Sequence, residues 1–222
     1  MRNKKPGFLR NPGEKTGITA SSRYALAGIQ DEEEIYVRHL LDKKLWNSIY
    51  DFTVINAKGE GNIPARYQFL INKDAYELVL VFCDTDRSPY TQYLGIKSKI
   101  NAMHEAEDAA GRVVIYANPC SMQIILLHFA VVSLKTQGKK TNARLIEKLT
   151  GVEGYKANQE EHIKAICSRI NRRSYFNMKE RVADICDSDT SPGSSNFIEF
   201  LRCFESNDPE WILEIRNYLY PS

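Results

Sequence analysis

The segment Leu78-Val79-Leu80-Val81-Phe82-Cys83-Asp84-Thr85-Asp86 restricts what this chain can fold into more than any other. Six consecutive apolar residues have no polar face, which suits a strand buried on both sides within a parallel sheet. The run then stops at two aspartates spaced i, i+2. On an extended chain, residues two apart point the same way, so both carboxylates are expected to face one point past the strand's carboxyl end. Open α/β sheets bind ligands there. Two hard oxygen anions aimed at one point suit Mg²⁺ or Mn²⁺ rather than a soft metal. The alternative is a strand-end Asp that caps the next helix, with the second Asp in solvent. Asp-x-Asp is common in loops, so the pattern leaves both open.

The rest of the composition narrows the class without choosing a function. With 222 residues, 43% hydrophobic and 26% charged, the chain has the make-up of an ordinary soluble globular protein. A net charge of +2 argues neither for nor against nucleic acid. No apolar stretch is long enough to span a bilayer, and the basic, polar N-terminus does not read as a signal peptide. Cys83, Cys120, Cys167, Cys186 and Cys203 are odd in number and lack any Cys-x-x-Cys spacing. Reduced thiols in a cytoplasmic protein, with no zinc site, are the simplest account.

Three regions are expected. Residues 1–20 read as a basic, mobile tail, residues 21–134 as an α/β domain, and residues 135–222 as a helical region. In the α/β part, a short strand runs from Arg23 to Gly28, and a helix starts near Asp31. Its first turn holds Asp31, Glu32, Glu33 and Glu34, where the helix dipole favours acids. Strands follow at Phe52–Ile55 and Arg112–Ala117. Helices are expected from Pro64 to Leu70, from Tyr93 to Ala110 with Gly111 ending it, and from Met122 to Leu134. This alternation implies a parallel sheet with helices on both faces. The stretch 187–195, rich in Ser, Asp, Gly and Pro, reads as a flexible loop. No Gly-rich phosphate loop is present, so no nucleotide site is expected on this chain.

Gly28 after a strand, the acid-rich start of the next helix and Asp84-x-Asp86 together resemble the Toprim nucleases. A closer resemblance is to the RloB family. Tyr116-Ala117-Asn118-Pro119-Cys120-Ser121 followed by Ile124-Ile125-Leu126-Leu127-His128-Phe129 is similar to that family's "Ser-Asn-Pro-Cys … Leu-Leu-Leu-His-Phe" block. Gly154-Tyr155-Lys156-Ala157-Asn158 is similar to its "Gly-Tyr-Lys-Lys-Asn" stretch. Any one block is weak; their order and spacing, over roughly residues 20 to 205, make the resemblance fairly specific. It implies a Toprim-like parallel sheet with a helical C-terminal half. It also implies a metal-dependent nuclease effector of an anti-phage, abortive-infection system, encoded beside an ABC-type ATPase. RNA, tRNA above all, is the substrate expected by analogy with relatives, and DNA nicking is the alternative. A non-catalytic subunit bound to the ATPase is the rival from another class, and a homodimer around one substrate is left open.

One departure bears on all of this. The family reads "Val-Glu-Gly" at the end of the first strand, where the Glu serves as general acid/base or metal ligand; here the residues are Leu26-Ala27-Gly28. A methyl group neither carries a proton nor binds a cation. A deliberate Glu→Ala change in a toxic nuclease, a natural pseudoenzyme, and substitution by Glu32 are three competing explanations. The resemblance places Asp84, Asp86 and Glu32 as ligands of Mg²⁺ or Mn²⁺, with position 27 across the cleft from the aspartates. Arg87 and Asn118 are candidate substrate contacts, with a surface ion pair and a structural turn as their plainer readings. His128, in an apolar helix, reads as a buried core histidine rather than a catalytic one. In the helical half, Lys156, Arg169, Arg172 and Arg173, interleaved with Tyr155 and Tyr175, suit phosphate contact plus stacking on unpaired bases. A solvated basic face is the alternative.

Overall fold

A computed structural model describes residues 23–29, 31–156, 159–185 and 188–221, with residues 23–29 traced as backbone. The expected tail over 1–20 lies outside the described residues. Four strands, β1 (Arg23–Ile29), β2 (Asp51–Asn56), β3 (Leu78–Asp84) and β4 (Val114–Ala117), form one parallel sheet in the order β2-β1-β3-β4. Each crossover carries helix: α1 (Asp31–Asp42) from β1 to β2, α2 (Ile63–Asn72) from β2 to β3, and α3 (Thr91–His104) with α4 (Ala109–Val113) from β3 to β4. The chain steps one way from β1 to β2 and the other way from β1 to β3. That reversal opens a crevice at the carboxyl ends of β1 and β3, and Asp84 is the last residue of β3.

Burial explains how the helices are seated. In α1 the buried residues are Glu33, Tyr36, Val37 and Leu40, the i, i+3, i+4, i+7 stripe of a helix lying on a sheet. Tyr36 lies against Phe197 (ring centroids 6.3 Å apart), and Phe197 stacks on Phe82 of β3 (5.5 Å). Phe197 begins α9 (Phe197–Glu205), so α1 and α9 share one face of the sheet. The other face carries α2 and α3, joined by the Tyr67 hydroxyl and His104 Nε2 at 2.8 Å. The remaining helices are α5 (Met122–Leu127), α6 (Lys139–Thr150), α7 (Glu160–Ser168), α8 (Arg172–Ala183) and α10 (Glu210–Leu219). A capping box opens α8: Asn171 Oδ1 accepts from Ser174 N–H at 3.0 Å, and Ser174 Oγ accepts from Asn171 N–H at 2.9 Å. One hydrophobic core runs from the sheet through α6 to α10, so helices on both sides of the boundary at 134/135 are packed together.

Three expectations about local structure are corrected. The helix expected over 93–110 breaks at Glu105, which adopts φ 52°. The Asn101 side chain spans the break, donating to Glu107 O at 2.5 Å and accepting from Ala110 N–H at 2.7 Å, and Gly111 falls inside α4. The apolar helix expected over 122–134 stops at Leu127. The buried Gln123 takes the ladder's place there, donating to Val132 O at 2.8 Å and accepting from Leu134 N–H at 2.7 Å. The third correction concerns the described part of 187–195, which is strapped down. Gly193 N–H donates to Asn118 O, Asn118 N–H donates to Ser194 O, and Ser195 bridges Ala117. Beside this strap, the Asn196 side chain pairs with Tyr116 N–H and Val114 O at 2.8 and 2.9 Å, covering the open edge of β4.

Candidate functional site

The site grows from the end of β3. Asp84 is half-buried, and its Oδ1 accepts from Ser121 N–H at 2.7 Å, across the turn that follows β4. Thr85 N–H still donates to Ala117 O, which extends the pairing by one residue. At Asp86 the backbone turns left-handed, with φ 61°. The alternation that was to aim both carboxylates at one point therefore ends before Asp86. Asp86 instead accepts a short hydrogen bond from Gln137 Nε2, an amide that also donates to Pro119 O at 2.9 Å. Asp84 and Asp86 are thus tied to different partners around the 119–121 turn.

Carboxylates surround Asp84. Burial raises its pKa well above the usual carboxylate range; Glu33 and then Glu32 push it further, Ser121 N–H pulls it back, and Glu60 adds to the rise. The neighbouring thiols respond to the same field. Cys83 is pushed up by burial first and then by Asp84, Glu60, Glu33 and Asp86, and Cys120 by burial, Asp84 and Glu32. Glu32 is half-buried, whereas Glu33 is 1% exposed. Two hydroxyls here, Thr85 Oγ1 and Ser121 Oγ, are fully buried and have no hydrogen-bond partner. Among the described residues, no three His, Cys, Asp or Glu side chains converge as a metal-holding group. Hard oxygens are nevertheless what the crevice offers: the Asp84 carboxylate, glutamates within electrostatic reach, and the orphan Ser121 hydroxyl. That donor chemistry fits Mg²⁺ or Mn²⁺ held by one or two carboxylates with water in the remaining positions.

Ala27 pairs in register with Ile55 of β2 and Val81 of β3, so it stands near the carboxyl edge, on the strand beside the one that ends in Asp84. Arg87 is exposed, just past the aspartates. Asn118 is not available as a substrate contact: it is 1% exposed, and its amide donates to Asp189 O at 2.8 Å. The same strap is held by Asp189, whose carboxylate accepts from the Tyr93 hydroxyl at 3.0 Å and from Lys97 Nζ at 2.6 Å. His128 is the core histidine expected, 2% exposed with Nε2 2.8 Å from the Tyr36 hydroxyl.

The basic face of the helical half divides. Lys156, Arg172 and Arg173 are exposed. Arg169 is also exposed but has a structural task, donating a short bond to Thr150 O at the end of α6, where a cation meets the negative end of the helix dipole. Tyr155 and Tyr175 are buried, 6% and 1% exposed, so they offer no ring to an unpaired base. The Tyr175 hydroxyl donates to Glu205 at 2.6 Å. A cleft of about 980 Å³ between α1 and α7 is lined by Glu32, Arg38, His39, Lys43, Lys58 and Lys164, among others, and meets the site at Glu32.

Sequence reasoning passed over Glu33, Ser121, Thr85 and Gln137. Glu33 carried a signal, since it stands at i−3 and i−4 to Tyr36 and Val37 and so belongs to the apolar stripe of α1. The other three gave none. Comparison of the chain with protein-family models, with curated proteins and with solved structures finds no match.

Proposed function

We propose that this chain is a Toprim-like, Mg²⁺- or Mn²⁺-dependent nuclease of the RloB kind, acting on RNA such as tRNA in a cytoplasmic anti-phage system. The observation that carries the reading is the position of Asp84, a carboxylate at the β1/β3 switch point of a 2-1-3-4 parallel sheet, with further acids acting on it. The ordered sequence blocks supply the family and, with it, the ABC-type ATPase as partner. When bound, the metal supplies an activated water and neutralises charge on the departing phosphodiester oxygen. Asp84 would hold it together with a glutamate from the first turn of α1, and Ser121 N–H fixes the orientation of Asp84. A Glu at position 27 is the proton carrier of the full site. Arg87, Arg172, Arg173 and Lys156 are exposed cations that meet the phosphate backbone. Among the described residues no helix is long and apolar enough to cross a membrane.

The test is to restore the carboxylate with Ala27→Glu and incubate the protein with Mg²⁺ and either tRNA or plasmid DNA. Cleavage of tRNA that is lost on adding Asp84→Asn or a chelator supports the reading. Nicking of plasmid alone moves the substrate to DNA. Ala27 itself favours a second reading, a non-catalytic subunit docked on the ATPase. On that reading Asp84→Ala and Asp86→Ala leave phage protection intact.

A further inference from the structure

The α1 face that lies on the sheet carries a buried acid, Glu33, toward the edge where β3 ends, and it is not the one the family pattern points to. Along β3, Phe82 and Asp84 are two residues apart and share one face of the sheet. Phe82 stacks on Phe197, and Tyr36 of α1 packs against that same ring. Helix α1 starts at the carboxyl edge and runs back along the sheet, so moving from Tyr36 to Glu33 leads toward that edge, as does moving from Phe82 to Asp84. The two steps are comparable, about 4.5 Å of helix rise and about 6.6 Å of strand. Glu33 therefore stands over the end of β3, buried to 1% exposure, while Glu32 is rotated by about 100° onto the flank of the helix.

An independent observation points to a ligand in the same place. Ser121 already touches Asp84 through its main-chain N–H, yet its own hydroxyl is fully buried and has no hydrogen-bond partner. Buried hydroxyls are ordinarily satisfied, and an oxygen ligand to a cation is one way to satisfy them.

We propose that Glu33 is the second carboxylate of a divalent-cation site centred on Asp84, standing in for the carboxylate that position 27 lacks, with the Ser121 hydroxyl as a neutral oxygen donor. The inference rests on the metal-dependent reading of Asp84 and adds the identity of its partner ligand. Two carboxylates and a hydroxyl leave room for the several waters that Mg²⁺ and Mn²⁺ retain.

The experiment is Mn²⁺ titration of the full chain, with Ala27 unchanged, by calorimetry, paired with thermal unfolding in the presence and absence of Mn²⁺. The variants are Asp84→Asn, Glu33→Gln, Glu32→Gln and Ser121→Ala. The expected result is a loss of about tenfold or more in Mn²⁺ affinity for Asp84→Asn and Glu33→Gln, and a smaller loss for Ser121→Ala. Glu32→Gln stays within about twofold of the parent. The metal-free chain carrying Glu33→Gln still unfolds cooperatively but gains nothing from Mn²⁺, whereas replacing a purely structural glutamate leaves the Mn²⁺-induced rise in place. Should Glu33→Gln fail to fold, Glu33→Asp keeps the charge on a shorter arm, and an intermediate affinity is expected. Parent-like Mn²⁺ binding in the Glu33 variant, alongside its loss in Asp84→Asn, overturns the role of Glu33 and leaves the metal reading standing. A parent chain that binds no Mn²⁺, or binds it equally well without Asp84, overturns both.

Discussion

Asn196→Ala is expected to loosen the edge of the sheet that positions the 118–121 turn. The side chain stands in for a fifth strand: its oxygen takes Tyr116 N–H at 2.8 Å, and its amide gives a hydrogen to Val114 O at 2.9 Å. Tyr116 and Val114 are 6% and 2% exposed, so water is poorly placed to replace either bond. A buried backbone group left without a partner costs about 1–3 kcal/mol. Two such groups, partly relieved by relaxation of the strap, give a loss of about 3 kcal/mol. For a domain of this size that corresponds to a fall of roughly 6–12 °C in Tm. Urea unfolding followed by circular dichroism reads the free energy, and a scanning melt reads Tm. Asn196→Asp is the informative companion. It keeps the acceptor for Tyr116 N–H but sets a carboxylate against Val114 O, so it is expected to destabilise at neutral pH and recover on acidification. A loss below about 0.5 kcal/mol for Asn196→Ala would refute the reasoning, because it would mean that solvent or the strap already satisfies both backbone groups.

Three further outcomes follow from the same packing. Burial, with His39 adding, holds the folded pKa of His128 down to about 3, against 6.5 for a free imidazole. Between those values the unfolded chain binds a proton that the native chain does not, so stability falls on acidification through this window, by up to about 1.4 kcal/mol per pH unit. His128→Gln should flatten that part of the urea-unfolding profile between roughly pH 6 and 4, and an unchanged slope would show that the histidine is protonated in the fold. Arg169→Ala should cost about 1 kcal/mol of stability by uncapping α6 while leaving tRNA affinity within about twofold, whereas Arg172→Ala and Arg173→Ala should weaken binding and reduce its salt dependence, as read by filter binding at several salt concentrations. Cys83 and Cys167 are buried, and burial holds Cys167 up at about 12, so both should resist iodoacetamide until the chain is unfolded, as scored by peptide mass.

The strands were legible because their information is local. The run from Leu78 to Cys83 announces a doubly buried strand without knowledge of its neighbours, and the acids at 31–34 announce a helix start. What the sequence could not disclose lies in contacts between distant segments. The helix begun at Met122 has apolar residues enough to continue to Leu134. It stops because Gln123 can reach Val132 and Leu134 from inside the core, a choice made by tertiary packing rather than by propensity. The segment 188–195 has the composition of a loose loop and is nonetheless fixed by Tyr93 and Lys97 of α3 and by Asn118 of the turn after β4.

The same division runs through the candidate site. Asp84 was legible because a strand end is a local event. Its relation to Asp86 was not, since the period-two rule holds only while the backbone stays extended, and the chain leaves that conformation at Asp86 to meet Gln137, fifty-one residues on. The resemblance points to Glu32, whereas burial in α1 follows the helix period and falls on Glu33. Counting back from Leu40 through Val37 and Tyr36 arrives at Glu33. A glutamate on an apolar stripe costs stability unless something at the sheet edge offsets its charge. On the proposed reading, a cation shared with Asp84 is the ligand for which this buried acid stands near the switch point.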